Sequence, residues 1–513
     1  MSREGSFGEN AALSVLAWVV PSVAAFVSVP IMVRGLGPDA YGLMVLVGAL
    51  TGYLGLVEMG LGQAVVRYLS YYRALDEGRP MLAIIRVSLL WVTAAGAIAA
   101  VFLFVAAPWL AKDVLHVSAR LFPTAVIVIR LSAINLVLGL MMSVGTAVPV
   151  SFLRYDIAAG MTGVFSTAGW IGPAVVVVLG YGIVGITWFY IASNILAIAL
   201  YLYFGWRLFR SVRRDAGPEW REIRRTVLSF TGLVAANRIG YTVAAQTNRL
   251  MVGVVSSTAA AAYYQVPNVL ASKITELLST IAQVLFPTGA ALIARNDYDG
   301  LRALYIRSSR LLFLLNCSSA MAIAVFAQPL LRYWISPLYA QKGSLALVLF
   351  MAAQAVNAAS YAVGFLSWSA AKAGVNLAFA LLSSGVNLLA IYPLASRFGV
   401  AGAAAAGLLG ALVAPFFIHY VDRHILQVSS LTVLRRCYLP TAAGAAVVAV
   451  GSRVLFIPLA HSLSATFALL FFSAFLSLVV SGLLGAVTRA DLRSFSGLAH
   501  SVWNRVLRGG SGA

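Results

Sequence analysis

Long apolar stretches, separated by short polar connections, recur along the whole chain. Each stretch has about 20 residues or more, the length that an α-helix needs to cross a hydrocarbon core of about 30 Å. The pattern predicts fourteen membrane-spanning helices and therefore an all-α polytopic membrane protein. The predicted starts of the spans are Asn10, Ala40, Met81, Phe122, Ile157, Gly182, Thr226, Ala260, Ser308, Ser344, Lys372, Val400, Tyr438 and Leu463.

Composition supports the same class of protein. Of the 513 residues, 61% are hydrophobic and only 10% are charged, whereas a soluble domain has about a quarter of its residues charged. The net charge of +20 does not indicate nucleic-acid binding, because the basic residues lie in short connections rather than in one tract. The two cysteines, Cys317 and Cys437, lie far apart in apolar stretches, and the five histidines show no ligand spacing. We therefore expect no disulfide framework and no metal site.

The basic residues predict the orientation in the membrane. With the N-terminus in the cytoplasm, 25 of the 36 basic residues fall on the cytoplasmic side and seven on the other, which favours cytoplasmic N- and C-termini. We expect no cleavable signal peptide, because the first apolar run continues past Pro21 to Val33 without a small-residue cleavage pattern. The last residues, Gly509–Ala513, resemble an artificial linker.

A weak internal repeat predicts two lobes. Pro30–Arg34 resembles Arg249–Gly253, and Glu58 and Glu276 lie at similar depths in spans two and eight. We expect two six-helix lobes related by a pseudo-two-fold axis, followed by two extra C-terminal helices. The predicted domains are an N-lobe at 1–210, a cytoplasmic amphipathic linker at 211–225, a C-lobe at 226–422, a second cytoplasmic linker at 423–437, spans thirteen and fourteen at 438–488, and a cytoplasmic tail at 489–513.

Six ionisable residues remain at membrane depth. The basic ones are Arg130, Arg238, Arg249 and Lys273, and the acidic ones are Glu58 and Glu276. Each costs at least ~2.5 kcal/mol in a membrane span, so each must face protein, water or a ligand. Because basic residues outnumber acidic ones by two, protein partners within this set cannot neutralise them all. The excess indicates an anionic ligand.

Structural explanations compete with this interpretation. Lys273 and Glu276 are three residues apart on one helix, where side chains meet and form pairs. Arg249 and Arg130 lie nearer to span ends, where an arginine can extend to the headgroup region. For these four residues the sequence leaves both a structural and a functional role open.

Arg238 lies too deep to reach either membrane interface, so we expect it to face a polar cavity. Three amides, Asn237, Gln246 and Asn248, accompany the arginines of span seven. Amides in spans commonly serve helix packing, but beside buried arginines they indicate a hydrophilic lining. Such a cavity suits a phosphate, which arginine binds through charge-assisted bonds, together with a sugar. Glu58 either pairs with an arginine or carries a coupling proton.

Two segments resemble a known family. Arg34–Gly42, followed by Gly55–Ala64, resembles the opening of the Wzx-type polysaccharide-biosynthesis flippases, which belong to the multidrug/oligosaccharidyl-lipid/polysaccharide (MOP) exporter superfamily. The stretch from Asn248 to Pro287 is similar to spans seven and eight of that family.

The resemblance implies a two-lobed transporter of the bacterial inner membrane that works by alternating access. Its expected substrate is an undecaprenyl-diphosphate-linked oligosaccharide, moved from the cytoplasmic to the periplasmic leaflet and coupled to a proton or sodium gradient, with no cofactor. The expected partners are this lipid-linked substrate, the bilayer, and the polymerase and chain-length machinery of the polysaccharide, with no nucleic acid. Arg238, Arg249 and Lys273 match the family's cationic cavity by location.

Other functions remain open. A related MOP exporter would carry lipid II or a drug, although the basic excess disfavours a cationic drug. A membrane glycosyltransferase or ligase would need paired acids on a sizeable outer loop, and the outer loops hold only Asp39 and Asp113 as lone carboxylates. A channel would show a selectivity-filter signature, which is missing. We therefore predict a transporter rather than an enzyme.

Overall fold

The computed structural model describes residues 7–58, 61–75, 77–210 and 242–487, and every regular element within these ranges is helical. The prediction of an all-α fold is thereby confirmed. In chain order the α-helices are α1 (Phe7–Leu54), α2 (Leu61–Ala74), α3 (Gly78–Trp109), α4 (Phe122–Ser151), α5 (Tyr155–Val178), α6 (Gly182–Phe209), α7 (242–255), α8 (Thr258–Ala282), α9 (Leu285–Ala294), α10 (Tyr298–Val325), α11 (Ala327–Trp334), α12 (Pro337–Ser369), α13 (Ala373–Ala411), α14 (Ala414–Val421), α15 (Ser430–Val433), α16 (Leu439–Leu455) and α17 (Leu463–Ser481).

The helices are stable in an apolar solvent because each satisfies its own backbone hydrogen bonds. Large apolar side chains are exposed on their outer faces, for example Leu389 and Leu483, as expected where lipid replaces water. Side chains cap some helix starts: Asp297 accepts a hydrogen bond from the Gly300 amide at 2.8 Å, and Ser462 accepts one from the Ala465 amide at 3.2 Å. These caps satisfy backbone donors that the first helical turn leaves free.

Eleven segments of the described residues are long and apolar enough to cross a membrane. Two of them are double, because α1 turns at Gly37 (φ 78°) and α13 turns at Gly399 (φ 55°). Only glycine adopts such angles readily, so each turn joins two predicted spans. The eleven segments thus account for thirteen of the fourteen predicted starts, and the start near Thr226 lies outside the described residues.

The predicted start of span nine, near Ser308, lies about three helical turns after the observed start of its helix. A start near Ser308 would leave Arg302 in the preceding connection, but α10 begins at Tyr298. The capped first turn and an Arg302–Asp299 ion pair of 3.1 Å continue the helix outward through the arginine-rich stretch. Arg310 therefore lies inside a helix and is only 8% exposed.

The chain divides into two compact units. Unit 1 comprises Met1–Val266 and Ile391–Ala403, and unit 2 comprises Pro267–Ala390 and Ala404–Ala513. In unit 1, α3 packs on α4, α4 packs on α6, and α1 packs on α5. The division falls within α8 and α13, whereas the predicted lobes end at the connections between spans. The predicted lobe boundaries stay a prediction.

In unit 2, α10 is the central helix, and α12, α16 and α17 pack against it. Buried hydroxyls join the last two helices to this centre: Ser477 donates to Ser318 of α10 at 3.0 Å, and Ser452 donates to Ser473 at 2.9 Å. Small hydroxyl side chains let helices approach closely in a membrane and supply hydrogen bonds between them. The two C-terminal helices are therefore an integral part of unit 2.

Candidate functional site

A polar cavity of about 580 Å³ lies within unit 1, where the helix of span two is interrupted. The helix α1 ends at Leu54, a tight turn follows from Gly55 to Glu58, and the chain resumes as α2 at Leu61. We call this space the N-unit cavity. Its polar and charged lining residues are Glu58, Gln63, Arg67, Ser143, Thr146, Thr162 and Tyr201.

The structure places Glu58 at the end of this turn. Its Oε1 would be 3.5 Å from a Cβ added at Gly62, and its predicted role, as the partner of an arginine or the carrier of a coupling proton, stays a prediction. A break leaves backbone groups without helical partners, and discontinuous helices line the substrate sites of many transporters. The turn between α1 and α2 therefore brings a carboxylate to the lining of the N-unit cavity.

The wall opposite the break presents hydrogen-bond acceptors. The Ser143 hydroxyl donates to the carbonyl of Leu140 at 2.7 Å, and the Thr146 hydroxyl donates to the carbonyl of Ser143 at 2.8 Å. A hydroxyl has one donor and two lone pairs, so both oxygens keep acceptor capacity toward the cavity. With one carboxylate and one guanidinium, from Glu58 and Arg67, the N-unit cavity carries no formal excess of positive charge.

A second feature of unit 1 is the close antiparallel contact between the second half of α1 and α7, which we call the α1–α7 seam. A Cβ added at Gly52 would overlap the side-chain amide of Gln246, and one added at Gly253 would overlap Leu46. The Tyr53 hydroxyl contacts the Thr247 hydroxyl. Glycine thus sets the distance between the helices, while polar side chains join them.

Arg249 lies on the α7 side of the seam and is half-buried. Its Nη1 donates to the Gln246 side-chain oxygen at 3.3 Å, and it interacts electrostatically with the buried Tyr41. Within the described residues no carboxylate lies within ion-pair distance of Arg249, and its buried Nε has no hydrogen-bond partner there. The seam therefore holds a cation whose charge the described part of the protein leaves uncompensated.

Asn248, on the same helix, is 8% exposed, and its side-chain oxygen has no partner within the described ranges. Of the residues that the sequence singled out, the structure thus brings Gln246 and Arg249 into contact and places Asn248 beside them. Gly52 belongs both to this seam and to the lining of the N-unit cavity, so the two features are contiguous.

The other predicted residues lie elsewhere. Lys273 and Glu276 form an ion pair of 2.7 Å on α8 in unit 2. Arg130 does not line the N-unit cavity; its guanidinium carbon lies 4.9 Å from the centre of the Phe104 ring. Asn237 and Arg238 lie outside the described residues.

Asp422 is a buried acid that the sequence does not predict. Asp422, at the start of a tight turn after α14, is fully buried and accepts a hydrogen bond from the Tyr305 hydroxyl at 2.6 Å. The sequence predicts Asp422 as the last residue of the C-lobe, directly before the linker at 423–437, and gives no sign of its burial. The apolar pattern carries no signal for this burial, because Arg423 and His424 follow Asp422 directly, as at the end of a span.

The geometry and the span count define a multi-pass α-helical membrane protein. Its fold is similar to that of two solved transporters of low sequence identity. The first, a lipid II flippase MurJ in an inward closed conformation, has a TM-score of 0.69 at 11% identity, over 94% of this chain and 99% of that one. The second, an inward-facing multidrug resistance MATE family transporter of the MOP superfamily, has a TM-score of 0.64 at 14% identity, over 80% of this chain and 98% of that one.

The chain belongs to the polysaccharide biosynthesis protein family, whose model matches residues 31–342. The family resemblance stated from the sequence is thereby confirmed. A putative O-antigen transporter of Shigella flexneri is 31% identical over 65 residues. That match spans 13% of this chain and 16% of the relative's length.

Proposed function

We propose that this protein is a flippase that moves an undecaprenyl-diphosphate-linked oligosaccharide from the cytoplasmic to the periplasmic leaflet of the bacterial inner membrane. The observation that carries the proposal is Arg249, a half-buried cation without a carboxylate partner in the described residues, in a chain of the polysaccharide biosynthesis family. The name of the Shigella flexneri relative, an O-antigen transporter, supports the same class of substrate.

The diphosphate is the part of this substrate that suits Arg249. A buried charge is costly unless it is paired and hydrogen-bonded, and removing a partner leaves an uncompensated ion. A phosphate oxygen would provide both the opposite charge and an acceptor for the buried Nε. Gln246 already holds the guanidinium by one nitrogen, which orients the others for a ligand.

The N-unit cavity suits the sugar. Its hydroxyl acceptors, the amide of Gln63 and the aromatic ring of Tyr201 match a hydroxyl-rich ring. Its volume, about 580 Å³, lies within the ~300–1,000 Å³ of ordinary ligand pockets, so we infer that it takes one part of the oligosaccharide at a time. Coupling to a proton or sodium gradient belongs to the proposal, with Glu58 as its candidate carboxylate.

The test uses purified full-length protein in phosphatidylethanolamine–phosphatidylglycerol vesicles that contain undecaprenyl-diphosphate-linked oligosaccharide. The fraction of glycan that an external oxidising reagent reaches is followed after a proton or sodium gradient is imposed. We expect wild-type protein to move the inner glycan outward, and Arg249→Ala to slow this at least about tenfold, since hydrogen bonds to charged groups contribute ~1.5–3 kcal/mol. The matched control is Arg154→Ala, because Arg154 is exposed and already paired with Asp156 at 2.7 Å.

Two results would overturn the proposal. One is wild-type vesicles that move no more glycan than protein-free vesicles under either gradient. The other is preferential movement of lipid II, which would assign the protein to a different MOP substrate. Arg238→Ala in the same assay tests the sequence-based placement of that residue; a wild-type rate would remove Arg238 from the substrate path.

A further inference from the structure

An apolar groove of about 450 Å³ runs along the outside of the α3–α4 pair in unit 1. All of its lining residues are alanine, valine, leucine, isoleucine or phenylalanine. Three of them, Val101, Phe104 and Ile134, are 63%, 50% and 47% exposed, so the groove opens toward the surroundings of the helix pair. It shares no lining residue with the N-unit cavity.

Arg130 stands at one end of this groove. Its guanidinium carbon lies 4.9 Å from the centre of the Phe104 ring, and its Nε donates to the Phe104 carbonyl at 3.4 Å. Among the described residues, its two terminal nitrogens have no partner. The ring and the backbone carbonyl of Phe104 therefore hold the guanidinium in place. Its two terminal nitrogens remain available to a ligand.

The order of the polar and apolar parts is informative. Arg130 is eight residues from the start of α4 at Phe122, or about 12 Å along the helix axis. The groove residues Ile134 and Val137 lie one and two turns further toward the middle of the same helix. A cation about 12 Å from the helix start, followed toward the helix middle by an apolar groove, has the same order as a lipid, whose phosphate precedes its acyl chain.

We propose that this groove binds an anionic phospholipid, whose phosphate contacts the terminal nitrogens of Arg130 and whose acyl chain lies in the groove. Charge complementarity selects the anionic head, because a guanidinium at membrane depth is costly without a counter-charge and binds phosphate through two parallel bonds. The groove selects an acyl chain since it offers no polar group. The site does not depend on the transport activity.

The test measures lipid binding to delipidated full-length protein in neutral detergent by native mass spectrometry. Phosphatidylglycerol and phosphatidylcholine with identical acyl chains are titrated separately. We expect phosphatidylglycerol to bind at least about tenfold more tightly, and Arg130→Gln to remove most of this preference. Arg130→Lys, which keeps the charge without the paired bonds, should fall between the two.

A second pair of variants tests the groove independently of the charge. Ala97 lines the groove and is exposed, so Ala97→Trp fills it with little effect on packing and should weaken phosphatidylglycerol binding. The neighbouring Ile98 is 75% exposed but does not line the groove, so Ile98→Trp should leave binding unchanged. Melting temperatures of all variants are measured in parallel to separate loss of binding from loss of fold.

Several outcomes would overturn the assignment. Equal affinities for the two lipids, or an unchanged preference in a folded Arg130→Gln variant, would show that the groove contacts bilayer lipids without selecting an anionic headgroup. Equal effects of Ala97→Trp and Ile98→Trp would exclude the groove as the place of the acyl chain. Displacement of phosphatidylglycerol by an equal or lower concentration of undecaprenyl diphosphate would make the occupant the transported lipid instead.

Discussion

Gly42, in the second half of α1, faces the first turn of α8 without room for a side chain. An added Cβ would lie 2.6 Å from the carbonyl carbon of Thr258 and 3.4 Å from the amide nitrogen of Ala259, and it would overlap the Thr258 carbonyl oxygen. Carbon atoms in contact are normally about 3.5–4.0 Å apart. Since the opposing atoms are backbone, Gly42→Ala must move the start of α8 by about 1 Å. We expect this to destabilise the protein by about 1–3 kcal/mol, the usual cost of overpacking.

Gly48 supplies the matched control on the same helix. A Cβ added there meets no atom within 4 Å, so Gly48→Ala should be neutral or stabilising by up to about 1 kcal/mol, the difference in helix propensity between glycine and alanine. The free energy of unfolding is measured by titration with a denaturing detergent in mixed micelles, followed by tryptophan fluorescence. Equal effects of the two substitutions, or a neutral Gly42→Ala, would contradict the contact with α8.

Two further predictions concern polar contacts. Gly52→Ala should displace the Gln246 amide and break its hydrogen bond to Arg249, which lowers the flipping rate in vesicles. The free energy of unfolding should change by less than about 1 kcal/mol, since the amide is a flexible chain end. An unchanged flipping rate would refute the role of this hydrogen bond in transport. Tyr305→Phe leaves the buried Asp422 without the hydroxyl it accepts from, so we expect a loss of about 1–3 kcal/mol in the detergent titration. Asp422→Asn should cost less, because it keeps the acceptor and removes the buried charge; the reverse order would contradict this account.

The fold was predictable because the membrane imposes it. A span must be apolar over its whole length, so its position is visible in the sequence without any knowledge of packing. The turns were also visible: Gly37 precedes Pro38, and Gly399 follows Arg397-Phe398 between two apolar runs. Both glycines adopt positive φ, which explains why two predicted spans meet there.

Two such glycine turns match more closely than Pro30–Arg34 and Arg249–Gly253 do. Gly182-Ile183-Val184-Gly185 lies at the start of span six, and Gly399-Val400-Ala401-Gly402 lies at the start of span twelve. The first glycine of each has a positive φ, 58° and 55°. A Cβ on the second would overlap residues of the preceding turn or helix, Tyr181 in one case and Leu394 in the other. The backbone requirement of the turn, rather than apolar similarity, makes these two segments match.

Charged positions were harder to predict at the ends of spans. An arginine-rich stretch that continues a helix has the same composition as one that forms a loop, so the sequence does not show that α10 begins before Arg302. Asp422 was missed for a related reason, since its partner Tyr305 is 117 residues away in sequence. Hydrogen bonds of this kind depend on which helices pack together, and apolar patterning carries no information about that choice.

The sequence also does not show which neighbour a side chain within a span faces. Arg130 and Arg249 both interrupt apolar stretches, and their depths could be estimated at 1.5 Å per residue. Amides accompany Arg249 on α7, whereas the residues from Ala125 to Ile129 before Arg130 are all apolar and offer no polar face from which its direction could be inferred. The structure separates the two residues: Arg249 bonds to Gln246 in the α1–α7 seam, whereas Arg130 stacks on Phe104 beside an outward groove. The two arginines therefore meet different anions in our proposals, the transported diphosphate and a phospholipid of the bilayer.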